Sequence, residues 1–529
     1  MEPKRKSELS EKQKGVYRIG TNYGRLLATM AMGIATVPLQ FKWLGVNGFG
    51  LLGLIGSSVG IGAMLQDMMR SSMVRELGAA WHKDDTKAFR EIYAASFQVS
   101  SVVSLLTALA FTVIIFILPF LNIQQDWIGP AQWILACEGL ATCFIVLLSP
   151  TINMLVVREQ FFWHNAWTVV RRSAYLIATV IPFLVLQESN LAQGLIVYGN
   201  TIFIINVVAT VFVVLGFILV DKNMVPTLRG STPLAMKKVK GTFSWNSSVV
   251  LAINLQERAA NFIMNIFFGS WGNAVFTLAL RLVSYIRMAT LGLTFGLDSV
   301  SARLSSNEDK SSLRSMFNHS TRMLSFIAFP AMVLVFVLAE PLLRLWVGRS
   351  TKDPELVLPQ AEFLVKIMVL GLACRAVSDG WMKLFFGAGF IRKYAPYVLA
   401  GGIFNPILSI GFILLLPKSW NYTGAAVAYT LVFLTVNMII MPVVTSSKVN
   451  LTYKEIITPI FRPLLIAVVA SPCLLAGHYI STNELLGWIE IVIGVASYGA
   501  VYVFGCWWLM FTKRERSGLL RLGFQLVGR

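Results

Sequence analysis

The chain has 529 residues, of which 56% are hydrophobic and 13% are charged, and its formal net charge at pH 7 is +19. Soluble domains carry about 25% charged residues, so this composition excludes a water-soluble globular protein. Nucleic-acid binding does not explain the basic charge, because no hydrophilic stretch is long enough to form a domain that binds DNA or RNA.

Apolar runs follow a polar and basic N-terminal segment, MEPKRKSELSEKQKG (1–15). A run of about 18 or more residues with few charges indicates a membrane-spanning helix. No short apolar segment with a small-residue cleavage site opens the chain, so we expect no removable signal peptide. We predict about fourteen spans, at 18–42, 48–69, 92–121, 127–149, 164–187, 191–220, 243–268, 274–298, 323–347, 360–386, 395–417, 422–446, 456–480 and 485–511.

Basic residues mark one side of the membrane, because loops rich in Lys and Arg are retained in the cytoplasm. The N-terminal segment, the loops after spans 2, 6 and 8 and the C-terminal tail are all basic. This asymmetry predicts an even number of spans with both termini cytoplasmic, and contact of the basic loops with anionic lipid headgroups. The predicted outer loops hold few basic residues: Lys42, Arg349, Lys352 and Lys418.

The two halves of the chain share a pattern. The segment LGVNGFGLLGLIGSSVGIG (44–62) aligns with FGSWGNAVFTLALRLVSYI (268–286), which places Gly45 on Gly269. The same offset aligns KDDTKAFRE (83–91) with NEDKSSLRS (307–315). Either spans 1–6 are duplicated in spans 7–12, or both halves converged on a glycine turn, a helix and a charged loop. Duplication of an even number of spans predicts a pseudo-axis along the membrane normal, with a site between the halves near the midplane.

The repeat predicts the domain organisation. We expect an N-terminal lobe at 1–220, a basic cytoplasmic linker at 221–242, a C-terminal lobe at 243–447, and two further spans with a basic cytoplasmic tail at 448–529.

Motifs of enzymes and metal sites are missing from the sequence. The five cysteines all lie in predicted spans and form no CxxC pair, and the four histidines form no cluster. The sequence contains no HExxH, GxSxG or nucleotide-binding glycine loop. We therefore predict no catalytic residue, no metal site and no cofactor. Transport without an ATP motif would be driven by an ion gradient or a cargo gradient.

Two segments resemble the polysaccharide-transport branch of the multidrug/oligosaccharidyl-lipid/polysaccharide exporter superfamily. LGVNGFGLLGLIGSSVGIGAMLQDMMRSSMVRELGAAWHKDD (44–85) resembles that branch's second span and following loop, in which a Gly-rich entry, an apolar helix and a vREL element recur. NYTGAAVAYTLVFL (421–434) resembles its twelfth span, where a Gly-Ala-Ala sequence opens the helix. The fourteen-span count and the internal repeat also match this family.

The resemblance implies an all-α integral membrane fold with two pseudo-symmetric six-helix lobes around a central cavity, plus two C-terminal helices. It implies a Wzx-type flippase of the bacterial cytoplasmic (inner) membrane. The cargo would be an O-antigen or other polysaccharide repeat unit on an undecaprenyl pyrophosphate carrier. Besides membrane lipids, the candidate partners are Na⁺ or H⁺ as coupling ion and the polysaccharide polymerase and ligase machinery.

Arginines inside the predicted spans are the informative charges, because an ionisable residue within the membrane is by default a functional candidate. Arg25 lies in span 1, which contains no acid, and Arg281 has no acid at i±3 or i±4. Arg287 and Arg258 also lie within spans, and Arg281 is part of a polar stripe suited to the wall of a wet cavity. The stripe consists of Thr277, Arg281, Ser284, Tyr285 and Met288.

Structural pairing is the alternative for several of these charges. Glu340 and Arg344 have the i, i+4 spacing of a helical ion pair, as do Arg375 and Asp379, with Lys383 one turn further. Arg375 is either part of this ladder or a cavity residue. Glu257 could pair with Arg281 or Arg287 across the hairpin of spans 7 and 8, and Arg25 could extend to the lipid headgroups.

Guanidinium groups match pairs of phosphate oxygens, so the resemblance implies that these arginines bind the cargo's pyrophosphate. The related lipid II flippases have arginines on spans 1 and 8 that face the cavity, at places comparable to Arg25 and Arg281. They also use an arginine on span 2, where this chain offers only Arg70 at the cytoplasmic end. The candidate pyrophosphate site comprises Arg25, Arg258, Arg281, Arg287 and Arg375, and the ion-coupling candidates are Glu138 and Glu257.

Two other functions remain open. A cation-coupled multidrug antiporter of the same superfamily would use acids such as Glu138 and Glu257, but basic residues outnumber acids in the spans. A glycan polymerase or ligase would need large outer loops, and the longest one predicted, about 348–359, is short.

Overall fold

The structure is a computed structural model, which describes residues 11–81, 85–185, 190–221, 224–241, 243–294, 297–306, 310–446, 451–475, 484–511 and 516. These residues form helices joined by short loops and contain no β-strand. The all-α prediction is therefore confirmed. The basic residues of 1–10, most of the basic tail after Phe511 and part of the second repeat segment, 307–309, lie outside the described residues.

Eighteen α-helices, labelled in chain order, lie in these described ranges. They are α1 (Glu11–Trp81), α2 (Thr86–Ile117), α3 (Gln125–Leu147), α4 (Ser149–Val157), α5 (Phe161–Val185), α6 (Leu191–Val220), α7 (Pro233–Gly241), α8 (Phe243–Leu291), α9 (Leu297–Ser306), α10 (Lys310–Val337), α11 (Ala339–Val347), α12 (Pro354–Gly387), α13 (Ile391–Leu415), α14 (Gly424–Val432), α15 (Met441–Ser446), α16 (Tyr453–Ala470), α17 (Pro472–Leu475) and α18 (Glu484–Leu509). A π-helix, Phe433–Ile440, joins α14 to α15.

Local capping fixes several helix starts. The Asp85 side chain accepts a hydrogen bond from the backbone N–H of Ala88 at 2.9 Å at the start of α2. Thr452 and Glu455 form a reciprocal capping box at the start of α16. Such caps satisfy backbone N–H groups that have no partner within the helix.

Twelve helical stretches of the described chain are long and apolar enough to cross a membrane, as expected of a multi-pass membrane protein. Two of them lie in α1 and α8, which contain 71 and 49 residues. At about 1.5 Å per residue each exceeds the roughly 30 Å of hydrocarbon that one span crosses. Each of these helices is interrupted by a glycine and contains two of the predicted spans. Counting each as one stretch gives twelve candidates, and counting the two halves separately gives the predicted fourteen.

The interrupting glycines, Gly45 in α1 and Gly269 in α8, have almost the same backbone conformation. Their φ/ψ values are 67°/−170° and 64°/−160°. This region of φ/ψ space is essentially restricted to glycine, so both positions require a residue without a Cβ atom. Because the two glycines align in the sequence repeat, their matching geometry supports the duplication of spans 1–6. The predicted lobe boundaries stay a prediction.

The described chain divides into two compact units. The first comprises Met1–Leu278, Trp346–Val357 and Ala395–Tyr429. Its cores include the start of α2, where Phe89 and Tyr93 pack with the C-terminal part of α1, and a cluster around Trp43 and Tyr198. The second unit comprises Ala279–Leu345, Leu358–Tyr394 and Thr430–Arg529.

In the second unit, the C-terminal helices pack on α10. The hydroxyl of Tyr502 donates to the backbone oxygen of Phe326 at 2.9 Å, and that of Tyr498 to the oxygen of Pro330 at 3.1 Å. The indole of Trp381 in α12 donates to Thr321 of α10 at 2.8 Å. These polar contacts fix helices that otherwise meet through apolar side chains.

The predicted basic linker contains a helix, α7, that the sequence pattern does not predict. Ala235 and Val239 of α7 are buried in the cluster around Phe89 and Tyr93, while its three lysines are exposed. A nine-residue amphipathic helix gives only about two turns of apolar periodicity, which is too little for a sequence signal.

Candidate functional site

Two arginines meet one aspartate within the second unit. The Arg287 Nε lies 2.6 Å from the Asp379 Oδ2, and the Arg375 Nε lies 2.8 Å from the Asp379 Oδ1. We refer to Arg287, Asp379 and Arg375 as the arginine–aspartate centre. The trio has two positive charges and one negative charge, and all three residues lie in stretches that are candidate membrane spans.

Helix geometry explains how the centre is assembled. Arg375 and Asp379 are four residues apart in α12, so they lie on the same face of that helix. Arg287 reaches Asp379 from α8 and is 92 residues away in sequence. The sequence predicted the first pair as one end of a charge ladder but did not predict the second pair, which depends on helix packing.

Arg375 and Arg287 differ in exposure. The Arg375 side chain is 0% exposed, and its guanidinium carbon lies 5.4 Å from the centre of the Phe433 ring. In the described part of the chain its Nη1 and Nη2 have no hydrogen-bond partner. The Arg287 side chain is 23% exposed, so Arg287 is the most exposed member of the centre.

The segment facing Arg375 is unusual. Phe433 begins the π-helix, and Asn437 in the same segment is buried with neither side-chain polar atom hydrogen-bonded to a described residue. Single π-turns occur frequently at functional sites, and buried polar groups without partners are rare in folded proteins. The surroundings of Arg375 therefore have the features of a site rather than of a purely apolar core.

Arg258 makes a different contact, in the first unit. Its Nε donates to Asn254 at 3.0 Å and its Nη1 donates to the backbone oxygen of Gly56 at 3.2 Å. The guanidinium lies over Gly60, where an added Cβ atom would be 1.7 Å from the guanidinium carbon. In this conformation Arg258 thus joins α8 to the part of α1 that follows Gly45.

Small residues allow these two helical segments to approach closely. A Cβ atom on Gly50 would lie 1.8 Å from the backbone oxygen of Ser270, and one on Gly53 would lie 2.4 Å from the Thr277 Oγ1. Glycines at such spacing are typical of helix interfaces in membranes. We call the contact between 46–61 and 254–277 the glycine interface. It joins segments assigned by sequence to spans 2, 7 and 8.

The glycine interface corrects one expectation. Thr277 is 6% exposed, and its Oγ1 donates to Asn261, which in turn donates to Ser57 at 2.6 Å. The predicted cavity-wall stripe therefore does not include Thr277, which packs against Gly53 instead. The sequence could not show this because helical spacing defines a face but not what covers it.

Replacing Gly50 with alanine tests the glycine interface. The new Cβ atom would meet a backbone oxygen that cannot rotate away, and overpacking of this kind costs about 1–3 kcal/mol. We expect Gly50→Ala to lower the thermal unfolding midpoint of the purified protein by several degrees. Gly56→Ala is the matched control, since a Cβ atom there meets nothing within 4 Å. Equal midpoints for the two variants would contradict the interface.

A buried acid also lies in the first unit. Glu138 in α3 is 4% exposed and accepts a hydrogen bond from the Tyr175 hydroxyl at 3.3 Å. One helical turn away from Tyr175, the Arg171 Nε donates to Asn206 at 2.7 Å, and its guanidinium stacks on Trp167. A buried carboxyl group with one phenol partner has oxygens available for a proton or a small cation.

The remaining candidates are partly buried. Arg25 and Glu257 belong to the first unit and Arg281 to the second. The structure brings Arg287 and Arg375 together through Asp379, and the gathering of the other candidates at one site stays a prediction. The predicted pair of Glu340 and Arg344 is confirmed at 3.2 Å on a half-exposed face. Within the described ranges, no three His, Cys, Asp or Glu side chains lie together in a way that could hold a metal ion.

Comparisons with known proteins agree with this fold. Residues 250–410 match the family model MatE, and no curated protein sequence matches the chain. The lipid II flippase MurJ in an inward closed conformation is 14% identical, with a TM-score of 0.67 over 93% of this chain and 99% of that one. An inward-facing multidrug resistance MATE family transporter of the MOP superfamily is 14% identical, with a TM-score of 0.62 over 78% of this chain and 92% of that one.

A third structure is a MOP superfamily transporter from Pyrococcus furiosus whose binding pocket is described as having reverse polarity. It is 13% identical, with a TM-score of 0.61 over 82% of this chain and 95% of that one. At these identities the likeness concerns the fold. The chain therefore has a fold shared by a lipid flippase and by multidrug transporters.

Proposed function

We propose that this protein is a transporter that moves an oligosaccharide, linked through pyrophosphate to a polyprenyl lipid, across the membrane by alternating access. The observation that supports this cargo is the arginine–aspartate centre, because it places two guanidinium groups and one carboxylate in candidate membrane spans. A positive centre favours an anionic ligand over a cationic one.

The proposed recognition step is an exchange of partners at Arg287. A guanidinium binds phosphate oxygens in a bidentate manner, and a pyrophosphate offers more oxygens than one carboxylate. When the pyrophosphate binds Arg287 in place of Asp379, Asp379 remains paired with Arg375 in the same helix. Neither the carboxylate nor the buried arginine is then left without an opposite charge, which would be costly in a low-dielectric environment.

The glycine interface is a candidate for the contact that closes the transporter on its outer side. Charge asymmetry of the loops predicts that the breaks at Gly45 and Gly269 face the outside, so the interface would close the outer side while cargo enters from the cytoplasm. Opening to the outside would then require Arg258 to leave the Gly56 oxygen. Released from that contact, Arg258 would be a further phosphate ligand, together with Arg25 and Arg281.

Coupling and location complete the proposal. Glu138 and Glu257 are the candidate sites for a coupling Na⁺ or H⁺, and Glu138 is the better supported because it is buried beside a single phenol. We place the protein in a bacterial inner membrane with both termini cytoplasmic, where polysaccharide polymerase and ligase machinery would use the exported O-antigen or related unit. The proposed role is transport rather than catalysis.

A cation-coupled multidrug antiporter is the second candidate. The match of residues 250–410 to MatE and the buried Glu138 favour it. The arginine–aspartate centre disfavours it, because a drug cation entering there would meet two guanidinium groups.

Reconstitution into sealed vesicles separates the two functions. We expect the protein to move a pyrophosphate-linked oligosaccharide to the far leaflet, measured by access of a membrane-impermeant lectin, and not to move the same glycan on an uncharged lipid. Extrusion of a cationic dye down an imposed ion gradient, with no lipid movement, would instead establish the antiporter.

A further inference from the structure

A basic pocket lies where the first turns of α10 and α16 meet the end of α18. None of its lining residues belongs to the arginine–aspartate centre. The pocket has a volume of about 540 Å³ and its walls include His319 and Arg322 of α10, Thr458 and Arg462 of α16, and Met510 just after α18. We propose that this pocket binds the phosphate of one anionic phospholipid of the surrounding membrane, a lipid that is distinct from the transported cargo.

The first argument is charge. The acid in the pocket wall, Glu455, accepts hydrogen bonds from the backbone N–H and the hydroxyl of Thr452, and it is paired with Arg314. The negative charge of Glu455 is therefore already balanced by Arg314 and by the hydrogen bonds from Thr452. Arg322 and Arg462 contribute two positive charges to the pocket, which favours an anion.

The second argument is position. The end of α18 has an exposed indole, Trp508, and Arg516 lies over its ring at 5.3 Å while donating to the Phe511 oxygen. Aromatic residues combined with arginines mark the level of the lipid headgroups. The loops that enter α10 and α16 are also predicted to be cytoplasmic, and the cytoplasmic leaflet holds the anionic lipids.

The third argument is an apolar pocket that adjoins the basic one. It has a volume of about 570 Å³, is lined mainly by leucine, valine and methionine of α9 and α10, and shares Ser315 and His319 with the basic pocket. A basic pocket that continues into an apolar one matches an amphiphile with a phosphate and an acyl chain. Free phosphate would use only the basic half. Both volumes are within the range of natural ligand sites, about 300–1,000 Å³.

Native mass spectrometry of the full-length protein in detergent tests this inference, using added phosphatidylglycerol and, as the uncharged-headgroup comparison, phosphatidylcholine. We expect one tightly retained phosphatidylglycerol. The double variant R322Q/R462Q should reduce its retention at least ~10-fold, as expected for the loss of two charged hydrogen-bond donors. Arg344→Gln, on a half-exposed face outside the pocket, is the control and should retain the lipid.

A second variant separates a lipid from free phosphate. Met316→Trp should fill the apolar pocket, weaken phosphatidylglycerol retention and leave the two arginines in place. Equal retention of both phospholipids, or retention unaffected by R322Q/R462Q, would overturn the inference. The inference would also be overturned if inorganic phosphate displaced the lipid and Met316→Trp had no effect on lipid retention. Because the measurement detects binding and not transport, it fails or succeeds independently of the proposed function.

Discussion

Replacing Asp379 with asparagine is expected to destabilise the protein more than any other single loss of a carboxylate that we describe. Asp379 is the shared partner of Arg287 and Arg375, and its side chain is only 10% exposed. Removing one member of a buried ion pair costs about 3–5 kcal/mol, because the remaining charge is left uncompensated. Thermal unfolding of the purified variant in detergent should show a clearly lowered midpoint.

The exposed pair of Glu340 and Arg344 provides the control. Both side chains are about half exposed, and such pairs contribute roughly 0–1 kcal/mol, so Glu340→Gln should leave the midpoint nearly unchanged. Adding Arg287→Gln to Asp379→Asn should recover part of the lost stability, because one uncompensated charge is removed. If Asp379→Asn unfolds at the same temperature as Glu340→Gln, the arginine–aspartate centre does not exist as described.

Replacing Arg287 with glutamine is expected to reduce transport strongly and to lower stability less than Asp379→Asn does. Asp379 keeps its contact with Arg375, so the unfolding midpoint should fall less than in Asp379→Asn. Transport of the pyrophosphate-linked oligosaccharide should fall roughly 10- to 150-fold, because hydrogen bonds to charged groups contribute about 1.5–3 kcal/mol. Initial rates of lectin-accessible cargo in vesicles give this measurement.

Two further variants sharpen the interpretation. Arg287→Lys keeps the charge but loses the planar fork, so its transport rate should lie between those of the wild type and Arg287→Gln. Arg344→Gln removes an arginine from an exposed pair and should transport normally. A stable Arg287→Gln variant that moves the cargo at the wild-type rate would remove Arg287 from the recognition step.

Several features of the fold could be predicted because they depend on local sequence. Apolar runs of spanning length indicated the membrane helices, and the aligned glycines Gly45 and Gly269 indicated where two of them break. The i, i+4 spacing of Arg375 and Asp379 indicated their pairing. Each of these signals lies within one helix or one turn, where a single sequence contains the relevant geometry.

Long-range contacts explain what could not be predicted. Arg287 has no acid three or four residues away in α8, and its partner Asp379 lies 92 residues away in sequence. Glu257 was one sequence-based candidate for that role. Similarly, helical spacing assigns Thr277 to a polar cavity stripe, and Arg258 is a candidate pyrophosphate ligand, but the glycine interface covers Thr277 and occupies Arg258. Helical periodicity defines faces, and only packing decides whether a face meets water, lipid or another helix.

Binding of the carrier lipid tests the central claim most directly, because the claim is that the arginine–aspartate centre recognises a pyrophosphate through Arg287. The measurement compares undecaprenyl pyrophosphate with uncharged undecaprenol, in excess phosphatidylglycerol so that the basic pocket is filled. The wild-type protein and Arg344→Gln should prefer the pyrophosphate lipid at least ~10-fold, and Arg287→Gln should lose that preference. An unchanged preference in a folded Arg287→Gln variant would contradict the account.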